Sequence, residues 1–266
     1  MQSNIQQPIP NSKFQIPYLL HLADTTLIIS HRNSEWCGHG PVLEQDIALT
    51  NIALDLLGQA RNFYQYAVEK SQQSTVDGRH LTEDDLAYLR NPNEFKNHLL
   101  VEQPNGDWGV TVLRQFYFSC FQHFFYQELQ QSKDEHLAAI ATKSLKEVAY
   151  HLRWSSEWVI RLGDGTEESH TRMKNAIDVL KDFTDEFFEM TDYESELLKE
   201  NLSVDLNLIK PKWMNKVKEI FEEATLEFIP STNPQTGGKN GNHSEHLSTL
   251  LAEMQILQRT YPNSVW

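Results

Sequence analysis

Cysteine is scarce. The 266-residue chain has two, Cys37 and Cys120, too few for a disulfide framework and outside any C-x-x-C pair. Both read as small buried apolar side chains of a reducing compartment. Glycine and proline are also sparse, at 11 and 10, against a usual combined share of roughly 12%. Few turns are therefore expected, and a loop-rich β-sandwich is disfavoured. Cations are outnumbered: Lys and Arg total 23 against 37 Asp and Glu, a formal net charge of −14. A nucleic-acid binder needs clustered cations to neutralise phosphate, and an anionic membrane surface would repel this chain, so neither partner is expected. The polar N-terminus has no basic segment followed by an apolar run, so no secretory signal is read. The most apolar window, Val110 to Tyr126, is interrupted by Arg114, Gln115, Gln122 and His123, and is too short and polar to span a bilayer. The expected location is the cytoplasm.

What is present is helical periodicity. Leu19, Leu20, Ala23, Leu27 and Ile28 recur at helical spacing over Tyr18–Arg32, and the turn Glu35-Trp36-Cys37-Gly38-His39-Gly40-Pro41 ends that helix. A second helix is expected from about Val42 to Glu69, with Leu43, Ile47, Leu54, Leu57 and Phe63 as its apolar positions. Ser71–Arg79 reads as a polar loop, and Thr82 with Asp85 as the capping box of a short helix that Asn91-Pro92 closes. Long helices follow over Trp108–Gln131 and, opened by Ser132 with Glu135, as far as Leu162. Gly163-Asp164-Gly165-Thr166 then caps a fifth, Glu167–Met190. An acidic segment Asp192–Glu200, a helix Pro211–Leu226 with proline in its first turn, a loop Pro230–Asn242 and a last helix Ser244–Arg259 complete the chain. The expectation is all-α: a polar leader over residues 1–17 and one helical domain over 18–266, two pairs of long antiparallel helices with peripheral ones added.

Bundles of this kind often hold two irons, using a Glu from each of two helices and a Glu-x-x-His from each of the others. The one such motif, Glu167 to His170, stands at a helix start, where acids are expected from the helix dipole alone. Glu147 and His151, at i and i+4, are better placed, but the second helix offers only Asn51, Asp55, Gln59 and Arg61 at mid-length. The favoured reading there is a buried polar network in which Arg61 or Arg153 neutralises Asp55 or Glu147. Gly237-Gly238-Lys239-Asn240-Gly241 lacks the order of a phosphate-binding loop and reads as a flexible connection. No Gly-x-Ser-x-Gly elbow is present. The ring of aromatics from Phe116 to Tyr126 marks a helix buried all round, read as a subunit interface in preference to a central core helix.

Ser30–Pro41, the following Leu43-Glu44-Gln45-Asp46-Ile47-Ala48-Leu49, Asp55–Arg61, Asn105–Trp108, Leu145–His151, Gly163–His170 and His243–Leu247 closely resemble one family across almost the whole chain. It is the PaaC-type structural subunit of the multicomponent phenylacetyl-CoA epoxidase, or ring monooxygenase. The resemblance implies a ferritin-like long four-helix bundle with additional peripheral helices. It further implies a homologous catalytic subunit that carries the di-iron centre, other small subunits, and a flavin and iron–sulfur reductase. That complex uses NADPH and O2 to epoxidise the ring of phenylacetyl-CoA. The structural subunit is implied to hold no cofactor, and its degenerate ligand positions correspond here to Leu56 and Gln59, and to Val148 and His151. A non-catalytic scaffold is the first expectation. The alternative is an independent metalloenzyme using Glu35, Glu44, Glu147 and His151. A ferritin-like storage shell lacks any ferroxidase motif.

Overall fold

The structure, a computed structural model, describes residues 12–71, 80–262 and 264. The polar loop expected over Ser71–Arg79 falls, after Ser71, outside the described residues, as do residues 1–11 of the leader. The rest of the leader is helical: α1 spans Ser12–Ser34 and takes Pro17 inside it. Its burial explains the early start, because Gln15 and Tyr18 are covered and Gln15 Nε2 donates to Asp134 at 3.1 Å.

The remaining helices are α2 Leu43–Ser71, α3 Glu83–Tyr88, α4 Leu99–Glu102, α5 Trp108–Leu129, α6 Glu135–Gly163, α7 Glu167–Leu180, α8 Asp192–Leu198, α9 Leu206–Glu223, α10 Glu245–Met254 and α11 Ile256–Thr260. No strand occurs among the described residues. α1 packs along α2, and α5 along α6. Ser30 bonds Ala53 while Asp24 bonds Tyr64, so rising numbers on α1 meet falling numbers on α2. The pair is antiparallel, and the four long helices form the bundle. Its caps are side chains: Asp107 accepts from Val110 N and Asp134 from Leu137 N. Asp134, and not the expected Ser132, therefore opens α6, and it also accepts from the Tyr66 hydroxyl at 2.7 Å. This one carboxylate ties α1, α2 and α6 together.

Three expected boundaries move for packing reasons. α7 stops at Leu180, short of Met190, and short 3-10 turns at Lys181–Phe183 and Asp185–Phe188 turn Glu186 and Phe187 into the interior. The acidic segment after Thr191 is itself a short helix, α8, with Glu194 closing its capping box. α9 begins at Leu206, so Pro211 lies within it instead of at its start.

Two corrections bear on function. α5 is buried all round by α6, α7, α9 and the aromatic residues of the same chain, so it is the central core helix and not a subunit interface. On α2, the core face is Leu49, Ile52, Leu56, Ala60 and Phe63. Leu43, Ile47, Leu54 and Leu57, expected inside, lie on the opposite face and are 71%, 52%, 61% and 43% exposed. α2 is apolar on two faces.

Candidate functional site

The bundle centre is built where α2, α5 and α6 converge. α5 carries Gln115, Ser119, Gln122 and Tyr126 at steps of four, three and four, a polar stripe through an otherwise apolar helix. All four are buried, and a buried polar group must find partners. Asn33 Nδ2 donates to Gln115 Oε1 at 2.7 Å, and Gln115 Nε2 donates to Ser119 Oγ at 2.8 Å. One turn on, Gln59 Oε1 accepts from Gln122 Nε2 at 2.9 Å and from the Tyr126 hydroxyl at 3.2 Å, and Gln59 Nε2 donates to Glu147 Oε2 at 2.9 Å. Burial holds the Tyr126 hydroxyl well above its ordinary pKa, so it stays a donor. Beside this set the fully buried His151 contacts Asp55 Oδ2 through Nε2 at 3.0 Å, and its Nδ1 is buried without a partner.

The arginines expected to neutralise these acids go elsewhere. Arg61 is largely exposed and pairs with Glu83 at 3.2 Å, while Arg153 lies over the Tyr150 ring. An amide and a histidine take the place of those cations. The stripe on α5 was the signal available in the sequence, and the aromatics around it masked it.

The four degenerate ligand positions, Leu56, Gln59, Val148 and His151, are all buried at this centre. They do not fit a di-iron group. Leu56 and Val148 offer no donor atom, and both ends of the Gln59 amide are engaged. Glu147 is held by that amide, and the His151 imidazole faces Asp55. Two cations need about four carboxylates to balance them. Of the other candidates, Glu35 accepts from Arg32 at 2.9 Å and from Asn105 at 2.7 Å, and Glu44 is exposed in the first turn of α2. Among the described residues no group of three or more His, Cys, Asp or Glu side chains is arranged to hold a metal ion. The Glu-x-x-His pair at α7 is divided: Glu167 is exposed, and His170 Nδ1 meets the Gly163 carbonyl at 2.7 Å across the turn.

Sequence reasoning missed a second buried polar zone at the outer side of α1. Asp24, fully buried, accepts from the Tyr64 hydroxyl at 2.5 Å, from Lys96 N at 2.8 Å and from the Arg90 guanidinium. The glycine-rich loop, expected to be flexible, is anchored by two buried acids, and a third holds the residues that follow it. Glu186 accepts from Gly237 N and Gly238 N at 2.9 and 2.7 Å. Lys239 pairs with Glu194 at 2.6 Å, and Glu102 accepts from Ser244 N at 2.7 Å and contacts His243 at 2.8 Å. Gly238 is required there: a Cβ would sit 2.3 Å from the Asn97 carbonyl oxygen. Burial and the nearby Lys239 charge pull the His21 imidazole down to about 4, and His98 beside it is lowered in the same direction by burial, then by His21.

Cys120 is buried, but Cys37 lies exposed in the turn between α1 and α2, against expectation, because that turn runs over the surface. No helix among the described residues is long and apolar enough to cross a membrane.

The model of one family, described as phenylacetic acid catabolic protein, matches residues 1–266. The chain is 44% identical over 249 residues to a subunit of the 1,2-phenylacetyl-CoA epoxidase of Escherichia coli (strain K12), an alignment covering 94% of this chain and 98% of that one.

Proposed function

Because the chain belongs to the phenylacetic acid catabolic protein family, we propose that it is a non-catalytic structural subunit of a phenylacetyl-CoA epoxidase. In this reading it stabilises a homologous di-iron subunit, which epoxidises the ring of phenylacetyl-CoA with O2 and electrons passed from NADPH by a flavin and iron–sulfur reductase. The chain works in the cytoplasm and holds no cofactor itself.

The observation that carries this reading is the chemistry of the bundle centre. Where a working partner needs two Glu-x-x-His pairs, this chain presents Leu56 with Gln59 and Val148 with His151. Gln59 joins Gln122, Tyr126 and Glu147 through both ends of its amide. Such a network fixes the register of α2, α5 and α6. Fixed helices are what a scaffold contributes: a rigid face against which a partner can be held at little entropic cost.

Co-expression of this chain, tagged, with the homologous di-iron subunit tests the reading. The two should co-purify at a fixed ratio, and epoxide formation from phenylacetyl-CoA should require both chains and the reductase. Full epoxidase activity of the di-iron subunit and reductase without this chain would overturn the reading.

A further inference from the structure

Among the described residues the outer face of α2 has no partner, yet it is patterned as if it had one. Leu43, Ile47, Thr50, Leu54, Leu57 and Arg61 follow one another at steps of four, three, four, three and four. That is the a/d spacing of a helix-packing seam, set opposite the core face of the same helix. At about 1.5 Å per residue the stripe is about 27 Å long. The apolar side chains from Val42 to Leu57, each between 43% and 71% exposed, leave about 500 Å² of apolar surface, in the upper range for a single patch on a monomer. A standard interface buries about 800 Å² on each partner, so the stripe supplies more than half of one.

An independent feature borders the stripe, one turn after Leu54. Gly58 is exposed near the middle of α2, and a Cβ built there meets nothing within 4 Å. Mid-helix glycine is costly relative to alanine, and nothing among the described residues requires it. The absence of a side chain is useful where a second helix comes close.

We infer that the outer face of α2 is a packing seam for one helix of the homologous di-iron subunit, laid antiparallel along it, with Gly58 at the closest approach. This rests on the function proposed above and names the surface through which it acts. The antiparallel sense follows from charge: Glu44 stands at one end of the stripe and the largely exposed Arg61 at the other. A partner helix of like pattern, reversed, sets acid against base at both ends.

Substitution at Gly58 separates the seam from the fold. Gly58→Ala should raise the melting temperature of the isolated chain by about 2–4 °C, since the helix gains propensity and loses no contact. Gly58→Leu should leave the isolated chain folded yet weaken its affinity for the co-expressed di-iron subunit by roughly 10–100-fold, the effect of overpacking a close contact. Leu54→Asp should abolish co-purification, and Val179→Asp, on the exposed face of α7, should leave it unchanged. If the wild-type chain captures the di-iron subunit and the Gly58 and Leu54 variants capture it equally well, the seam is refuted while the proposed function stands. If the variants alter only the self-association of this chain, the seam belongs to a second copy and the inference fails. If the wild type captures no di-iron subunit, the proposed function fails and takes the seam with it.

Discussion

Gln59→Leu probes the bundle centre most sharply. The leucine side chain is close to glutamine in volume, so the substitution changes polarity more than packing. It removes the acceptor shared by Gln122 Nε2 and the Tyr126 hydroxyl, and the donor that reaches Glu147. The losses are unequal. Glu147 is half-buried and can be rehydrated, and Gln122 Nε2 keeps the Tyr126 oxygen at 3.1 Å as a second acceptor. The buried Tyr126 hydroxyl donates only to Gln59 and loses that acceptor outright. Each buried group left without a partner costs about 1–3 kcal/mol, and added apolar burial returns about 1 kcal/mol. The net loss is about 1–2 kcal/mol, which lowers the melting temperature of a chain this size by about 2–6 °C. Urea unfolding followed by far-UV circular dichroism, together with scanning calorimetry at pH 7, reads both quantities. The triple variant Gln59→Leu/Gln122→Leu/Tyr126→Phe should recover more than half of the loss, because no member of the network is then left unpaired. A single variant within about 0.5 kcal/mol of wild type, the range of an inconsequential surface change, would refute the reasoning. So would a triple variant less stable than the single.

Other outcomes follow from the zone around α1. Asp24→Asn leaves the Arg90 guanidinium nearly buried without its charge partner, and should destabilise the chain by about 3–5 kcal/mol in urea unfolding, with Asp24→Leu/Arg90→Met recovering much of it. A result under about 1 kcal/mol for Asp24→Asn would contradict that assignment. His21, fully buried, is lowered to about 4 by burial, then by Lys239, with Glu194 and Asp24 opposing. The unfolded chain takes up this proton first, near pH 6.5. Its contribution is therefore complete above pH 6.5 and lost as pH falls toward 4, about 3 kcal/mol in all. Unfolding free energy measured across that window should fall with pH, and His21→Gln should flatten the slope; an unchanged slope would refute the assignment.

The all-α class, the long helices and most turns were legible, because capping residues and apolar spacing are local signals. Thr82 with Asp85 and the Thr166 cap stand as read. The errors share a cause: a local pattern cannot say what lies opposite it. Leu43, Ile47, Leu54 and Leu57 have core spacing, and only the tertiary packing shows that Leu49, Ile52, Leu56 and Phe63 occupy the core. Pro17 and Pro211 read as helix boundaries, yet neighbouring contacts carry α1 and α9 through them. At the centre, Glu147 and His151 were visible as an inward pair, but their partners Gln59 and Asp55 come from a helix about ninety residues away in sequence. The anchored loop at Gly237–Gly241 was the least legible feature, since the acids that hold it, Glu186 and Glu194, sit on separate elements. The motif resemblance supplied the functional reading that composition could not.

If this chain positions a di-iron partner and binds no iron pair of its own, metal content must follow the partner. Mass-spectrometric metal analysis of the isolated chain and of the co-purified complex, both produced in iron-replete medium, reads that directly. The expected result is substoichiometric iron on the isolated chain, unchanged by Gln59→Leu or His151→Ala, and iron in the complex that partitions with the partner when the two chains are separated. Near-stoichiometric iron on the isolated chain, with a di-iron absorption band lost in His151→Ala, would contradict it.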